Sequence, residues 1–157
     1  MFKRKSGFVG SKTLNFNIKY VSSSTKLANT MEKLKPFIEN ILYETIMPIM
    51  LVTHKDVTLF TDDPVEYIRK QYDFTETLFM PKNTIIDLLI YVCSYISTKK
   101  VKGQKTVRKP DYLFPFLNFA VTNMNQYAEQ IQQGNSPDWR IKEALLLAIG
   151  HLHDLIN

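Results

Sequence analysis

Asp87 and Ser94 are the only strongly polar side chains between Ile85 and Ile96. Wound as a helix from near Pro81 to Ser97, this segment turns apolar residues to most of its circumference. Thr84, Asp87, Tyr91 and Ser94 are left as one polar stripe. Such a helix needs neighbours on more than one side. The run is too short and too interrupted to read as a membrane span. The rest of the chain must therefore supply further helices whose apolar faces cover this one.

Apolar residues at three- and four-residue steps supply them. A first helix is expected from about Lys12 to Ser23, with Leu14, Ile18 and Val21 on one stripe and Phe16 and Tyr20 on the next. Ser22-Ser23-Ser24 ends it, and Thr25 to Met31 reads as a loop. A second runs from about Glu32 to Leu51 on Leu34, Phe37, Ile38, Ile41 and Leu42. Pro48 lies inside it and is expected to kink or end it, since proline removes a hydrogen bond and crowds the preceding turn. Val52 to Thr61 reads as a polar connection. Asp63 then offers an N-cap, Pro64 suits the first helical position, and Glu66 sits at the capping-box position of a short helix reaching Tyr72. Tyr67 and Ile68 are expected to pin that helix to the core.

After the apolar helix and a basic loop, Pro110 opens another helix to Gln132, carried by Leu113, Phe116, Leu117, Ala120, Met124, Tyr127, Ala128 and Ile131. Gly134 is placed to stop it. Ser136, as N-cap, and Pro137 start the last helix, striped by Ile141, Leu145, Ala148, Ile149, Leu152, Leu155 and Ile156. Gly150 in mid-helix is open to two readings, close approach of a neighbouring helix or a tolerated loss of about 1 kcal/mol relative to Ala.

No segment of useful length has a β period. The short Gln133–Ser136 connection makes the last two long helices antiparallel neighbours. The second helix pairs in the same way with the apolar one, and the first helix closes an earlier pair. The expected fold is an all-α solenoid of antiparallel pairs of HEAT or armadillo type. Residues 1–11 are expected to be a disordered basic N-terminus and residues 12–157 the solenoid, with an insertion at about 52–80 and a basic loop at 98–109. The pair-to-pair period of about 77 residues exceeds the roughly 40–47 of a HEAT unit, and the insertion and basic loop account for the excess. The last helix carries its apolar stripe to the end without a polar closing element, as in a section of a longer array or a truncated product.

The net charge of +5 is concentrated in two places. Lys3, Arg4 and Lys5 form one. Lys99, Lys100, Lys102, Lys105, Arg108 and Lys109 form the other, and the remaining chain is mildly acidic. A nucleic-acid binder more often spreads its basic residues over one face, so nucleic acid is disfavoured as a partner. The basic loop reads as a solvated connection, because dense like charge resists packing. An RNA or phosphate contact, or a nuclear-localisation-like patch, is the alternative. Cys93 is the one cysteine and lies in an apolar run, where a thiol behaves as a small hydrophobe. No apolar stretch follows the basic start, so no secretory signal is read. His151, His153 and Asp154 lack the i, i+4 spacing of a helical metal pair, and His54 is isolated in the polar connection. Neither a metal site, a cofactor cradle nor a catalytic set is expected.

Several segments share a further property. Leu14-Asn15-Phe16 with Tyr20-Val21-Ser22-Ser23-Ser24, Leu34-Lys35-Pro36 with Ile46-Met47-Pro48-Ile49-Met50, and Asp63-Pro64-Val65-Glu66-Tyr67-Ile68-Arg69-Lys70 followed by Tyr72-Asp73 stand in one order. Pro81-Lys82-Asn83-Thr84 with Asp87, and Lys142-Glu143-Ala144 with Ala148-Ile149-Gly150, continue it. In this order they resemble the importin-β superfamily, nearest its importin seven/eight branch with its plant members. The resemblance departs at Phe74-Thr75-Glu76-Thr77, where the family is acidic, and at Glu143-Ala144, where it has Asp-Gly.

The resemblance implies a middle section of a much longer nuclear transport receptor found in cytoplasm and nucleus. Its partners would be Ran-GTP, the Phe-Gly repeats of nucleoporins and basic cargo proteins, with no enzymatic activity. Asp62, Asp63, Glu66, Tyr67 and Arg69 are the candidate contact residues. They read either as a local cap or, for the three acids, as part of an acidic surface for Ran or cargo.

Overall fold

The computed structural model describes residues 10–73, 80–96 and 110–156, and every regular element among them is helical. The first, α1, spans Ser11–Thr25. Its buried face keeps Ile18 of the expected aliphatic stripe and adds the polar Asn15, Ser22 and Thr25, while Val21 is exposed. Leu14 is half-buried, and Phe16 and Tyr20 are 58% and 75% exposed. The reason lies across the seam. The Thr84 hydroxyl donates to Asn15 Oδ1, and both residues are buried. Removing the Asn15 amide would strand the buried Thr84 hydroxyl at a cost of about 1–3 kcal/mol. The small side chains of Ser22 and Thr25 let the two helices approach closely.

The expected loop after α1 shrinks to Lys26 and Leu27, and the next rod begins at Ala28. This rod, α2, runs without a break through Ala28–Leu34 (α), Lys35–Phe37 (3-10), Ile38–Asn40 (α), Ile41–Ile46 (π) and Met47–Met50 (α). Pro36 lies in the 3-10 turn. The rod continues through Pro48. The turn before it widens, so that the Met47 N–H bonds to the Leu42 carbonyl five residues back. A wider winding accommodates the donor that proline lacks. The rod stops at Met50, where Leu51 turns extended.

Two short helices follow, α3 (His54–Asp62) and α4 (Pro64–Tyr72). The first replaces the expected polar connection. Its start is a reciprocal box, with the Thr53 hydroxyl accepting from Asp56 N and the Asp56 carboxylate accepting from Thr53 N at 3.1 Å. Neither helix has a buried residue.

The apolar helix is α5, Pro81–Ser94, with Thr84, Ile85, Ile86, Leu88, Leu89, Val92 and Cys93 buried. Helix α6 (Leu113–Gln132) ends as expected at Gly134, whose φ is +78°. The Gly134 N–H reaches Ile131 O and the Asn135 N–H reaches Gln130 O, both at 2.9 Å, the paired bonds of a Schellman stop. Helix α7 (Trp139–His151) is capped by Asp138, not Ser136, and a last turn, α8, covers His153–Ile156. No neighbour lies within 4 Å of a Cβ placed on Gly150, so the close-approach reading fails there.

These helices form two layers. Asn15 meets Thr84 near the starts of α1 and α5, while Lys26 and Ser94 share a groove near their ends, so the two run parallel. Lys82 pairs with Glu143 at 2.9 Å near the starts of α5 and α7, extending that parallel row. The other layer holds α2 and α6, joined where Tyr43 stacks on Phe119 with ring centroids 4.3 Å apart. Helices α2 and α5 are antiparallel, since the Tyr95 hydroxyl at the end of α5 donates to Glu32 near the start of α2, and α6 joins α7 through the short stretch between Gln132 and Trp139. One core runs between the layers, with Met31, Ile38, Leu42, Ile46, Phe116 and Leu145 among its most deeply buried residues.

The two glycines at helix α6 and α7 should respond oppositely to alanine. Gly134→Ala forces a side chain into positive φ and is expected to lower stability by about 1 kcal/mol. Gly150→Ala is expected to raise it by up to about 1 kcal/mol. Urea unfolding of the two variants checks both signs.

Candidate protein-contact surfaces

Asp63 joins α3 to α4 and serves both. Its N–H closes α3 on Leu59 O at 2.8 Å, and its carboxylate opens α4 by accepting from Glu66 N at 2.9 Å. Because that N–H is already engaged, Glu66 does not complete a box. It forks onto Arg69 instead, at 2.6 and 2.7 Å, and Arg69 also lies 3.7 Å from Asp73. Arg69 holds the Glu66 carboxyl below the usual range. Asp62 is exposed. Tyr67 packs edge-on against Phe60 with centroids 5.4 Å apart and is half-buried, and this burial raises its hydroxyl pKa. Ile68 does not pin the helix to the core, since it is exposed together with Val65 and Tyr72. The five candidate residues are thus brought together on one short corner. Its charges are largely matched within it, and its apolar side chains face outward.

A polar tie holds this corner to the body. The Asp138 carboxylate grips the Arg140 guanidinium through Nε at 2.9 Å, and Arg140 Nη1 lies 3.2 Å from His54 Nε2. His54 is therefore the first residue of α3 and in contact with α7, not isolated in a connection. Arg140 holds the Asp138 carboxyl below its ordinary value.

Lys99, Lys100, Lys102, Lys105, Arg108 and Lys109 lie outside the described residues, as do Lys3, Arg4 and Lys5. The base of the basic segment is described. Asp111 N–H donates to Tyr95 O at 2.9 Å, the Tyr95 and Tyr112 rings stack at 6.3 Å, and Lys35 Nζ lies 5.6 Å from the Tyr95 ring centroid. The chain thus leaves and re-enters the body at one point.

Two grooves were not anticipated. The polar stripe of α5 lies beside α1, with Thr84 buried and Asp87 exposed, and with Lys19, Ser22, Ser23 and Lys26 it lines an open groove of about 600 Å³. The signal was present in the complementary hydroxyls of α1 and α5, but the stripe was read on one helix at a time. The second groove, about 550 Å³, lies beside α7 and is lined by Tyr127, Trp139, Lys142, Glu143, Leu146 and Leu147. Neither gathers a catalytic set. Among the described residues no group of three His, Cys, Asp or Glu side chains is placed to hold a metal ion. His153 lies 3.0 Å from the exposed Asp154 carboxylate and 2.9 Å from the Gly150 carbonyl. Burial pushes the Cys93 thiol up to about 12, away from nucleophilic chemistry. Among the described residues no helix is long and apolar enough to cross a membrane.

The chain is similar to curated importins over nearly its whole length. An importin beta-like SAD2 homolog of Arabidopsis thaliana is 28% identical over 154 residues, covering 98% of this chain and 14% of the relative. Importin-8 of Mus musculus is 26% identical over 153 residues, covering 98% of this chain and 13% of the relative. A probable importin-7 homolog of Dictyostelium discoideum is 22% identical over 135 residues, covering 86% and 12%. The chain spans about a seventh of the length of these relatives or less. No family model matches it, and no solved structure matches it. The resemblance carried by the ordered motifs is thus found in plant, animal and amoebal importins, and the two-layer array is the HEAT-repeat solenoid that resemblance implies.

Two measurements probe these surfaces. Asp138→Ala removes a helix cap and is expected to lower stability by about 1 kcal/mol at neutral pH. The folded-state pKa of Asp138 is depressed, so its contribution is present above the unfolded carboxylate value and lost as pH falls through the folded one. The variant should therefore lose less stability on acidification than the parent chain, as read by thermal melts across acidic pH. Cys93 should react with a thiol-specific chromogenic reagent only as fast as the chain unfolds.

Proposed function

We propose that this chain is a section of an importin-type nuclear transport receptor, working as a binding scaffold in import of protein cargo between cytoplasm and nucleus. The observation that carries the reading is similarity to importins that runs, without a change of order, through 98% of the chain. The architecture supports it. Parallel rows of helices present extended surfaces for other proteins, and recognition by such arrays is spread over many side chains. The full-length receptor would bind Ran-GTP, nucleoporin Phe-Gly repeats and basic cargo, and it would act by binding and not by catalysis.

Within this section, the corner formed by α3 and α4 is the candidate contact site. Asp62 and Asp63 supply acidic character, and Val65, Ile68 and Tyr72 supply uncovered apolar area. Exposed ion pairs such as Glu66–Arg69 contribute at most about 1 kcal/mol each, so the aromatic and aliphatic side chains would carry more of the affinity.

A chain extended to the length of its relatives should be retained on immobilised Ran-GTP and on Phe-Gly repeats. Retention on neither would reject the receptor reading. In the extended chain, Ile68→Asp with Tyr72→Asp should weaken cargo capture at least several-fold while leaving the circular dichroism of the protein unchanged.

A further inference from the structure

We propose that the contact between His54 and Arg140 is a pH-sensitive latch, closed while the imidazole is neutral and opened when it takes up a second proton, so that acidification frees the α3–α4 corner from α7. The latch concerns how the corner is held and stands whether or not the corner meets a partner. Its two residues lie well inside the chain, on α3 and α7.

The chemistry of the pair fixes its protonation. A guanidinium offers only donors and keeps its proton in proteins. At 3.2 Å, Arg140 Nη1 must therefore donate and His54 Nε2 must accept. Only a neutral ring with its proton on Nδ1 can accept there. A further proton on Nε2 removes the acceptor and sets two cations against each other. Histidine is the side chain whose charge ordinarily changes between about pH 5 and 8.

The surroundings do not rescue the charged form. Asp138 is the carboxylate that faces the pair from the start of α7. It already accepts from Arg140 Nε at 2.9 Å, from Nη2 and from the Arg140 backbone N–H. Nη1 lies outside that fork, so an imidazolium meets the ion pair at its positive edge. Arg140 holds the Asp138 carboxyl below its ordinary value, so Asp138 keeps the guanidinium in place while histidine titrates. On α3 itself, Lys55 adds positive charge beside His54, and Asp56 is engaged by Thr53 at the helix start. From α4, Tyr67 lies in the field of Asp56 and of Glu143 on α7, and Glu143 is paired with Lys82 of α5 at 2.9 Å. His54 is also the first residue of α3, at the positive end of the helix dipole. Once the contact is lost, little opposes movement, because α3 and α4 bury no side chain.

Amide hydrogen exchange of the whole chain, corrected for the intrinsic pH dependence of exchange, tests this. From about pH 7.5 to about pH 5.5, a range that brackets histidine titration, peptides covering α3 and α4 should lose protection by about two- to five-fold, as for one exposed charged contact. Peptides from α5 should not change. His54→Gln keeps an acceptor that does not titrate and should hold the corner protected at both pH values. His54→Lys fixes a positive charge and should leave it as exposed at both as the parent is at the lower one. His151 and His153 remain in every variant, so a step that survives in His54→Gln belongs to other groups and overturns the proposal. A parent without a step in α3 and α4 would overturn it too, as would a His54→Lys chain as protected as the parent at the higher pH. So would nitrogen-15 spectra that place the proton of the neutral His54 ring on Nε2.

Discussion

The architecture follows from the need to enclose α5. Its core-facing residues Ile85, Leu88, Leu89, Val92 and Cys93 are almost wholly buried, and no single partner helix could cover them. Helices α1, α2, α6 and α7 all pack against it. Fully burying an aliphatic side chain of this size contributes about 1.5–3 kcal/mol, so the four aliphatic residues among these outweigh the modest propensity differences elsewhere in the chain. What α5 leaves over then decides direction. Its few polar groups, Thr84 foremost, select the small polar face of α1 over the aliphatic one. Lys82 at its start selects Glu143 of α7.

How much of this was legible depended on whether a signal was local. Gly134, Asp63 and Pro64 act within a turn of themselves, and each does in the structure what its chemistry requires. The Thr53–Asp56 box is equally local, but Asp at its last position departs from the Glu or Gln of the usual signature, and the segment otherwise has the polarity of a connection. Pro48 acts over a longer stretch. Proline removes one donor, and the rod ends two residues after it, at Met50. Spacing alone does not show that the turn before it widens while Ile46, Met47 and Met50 stay buried. The faces of α1 could not be settled from periodicity alone. Leu14, Ile18 and Val21 make a plausible stripe until the facing helix is known to present a hydroxyl.

The candidate contact residues show the same division. Capping by Asp63 is a property of the segment, whereas the fork from Glu66 to Arg69 depends on where the Asp63 N–H has already gone. Sequence spacing placed Tyr67 and Ile68 toward a core, but α3 and α4 contribute no buried residue and turn Val65, Ile68 and Tyr72 outward. A corner fastened by polar contacts such as His54–Arg140 can shift against the body at little energetic cost, since exposed charged contacts contribute so weakly.

That distribution of strength bears on how such a chain recognises other proteins. The body is rigid where α5 is enclosed and lightly held at the α3–α4 corner. Uncovered apolar side chains appear at that corner and on the outer faces of α1 and α7, away from the core. Such a chain has several separate apolar surfaces on a common frame. Contacts made at more than one of them raise affinity through effective concentration and not through any single tight site. Binding of that kind is sensitive to the spacing between helices, which here is set by buried pairs such as Asn15–Thr84 and Tyr43–Phe119. The interior hydrogen bond and ring stack therefore fix the distances over which these outer surfaces are displayed.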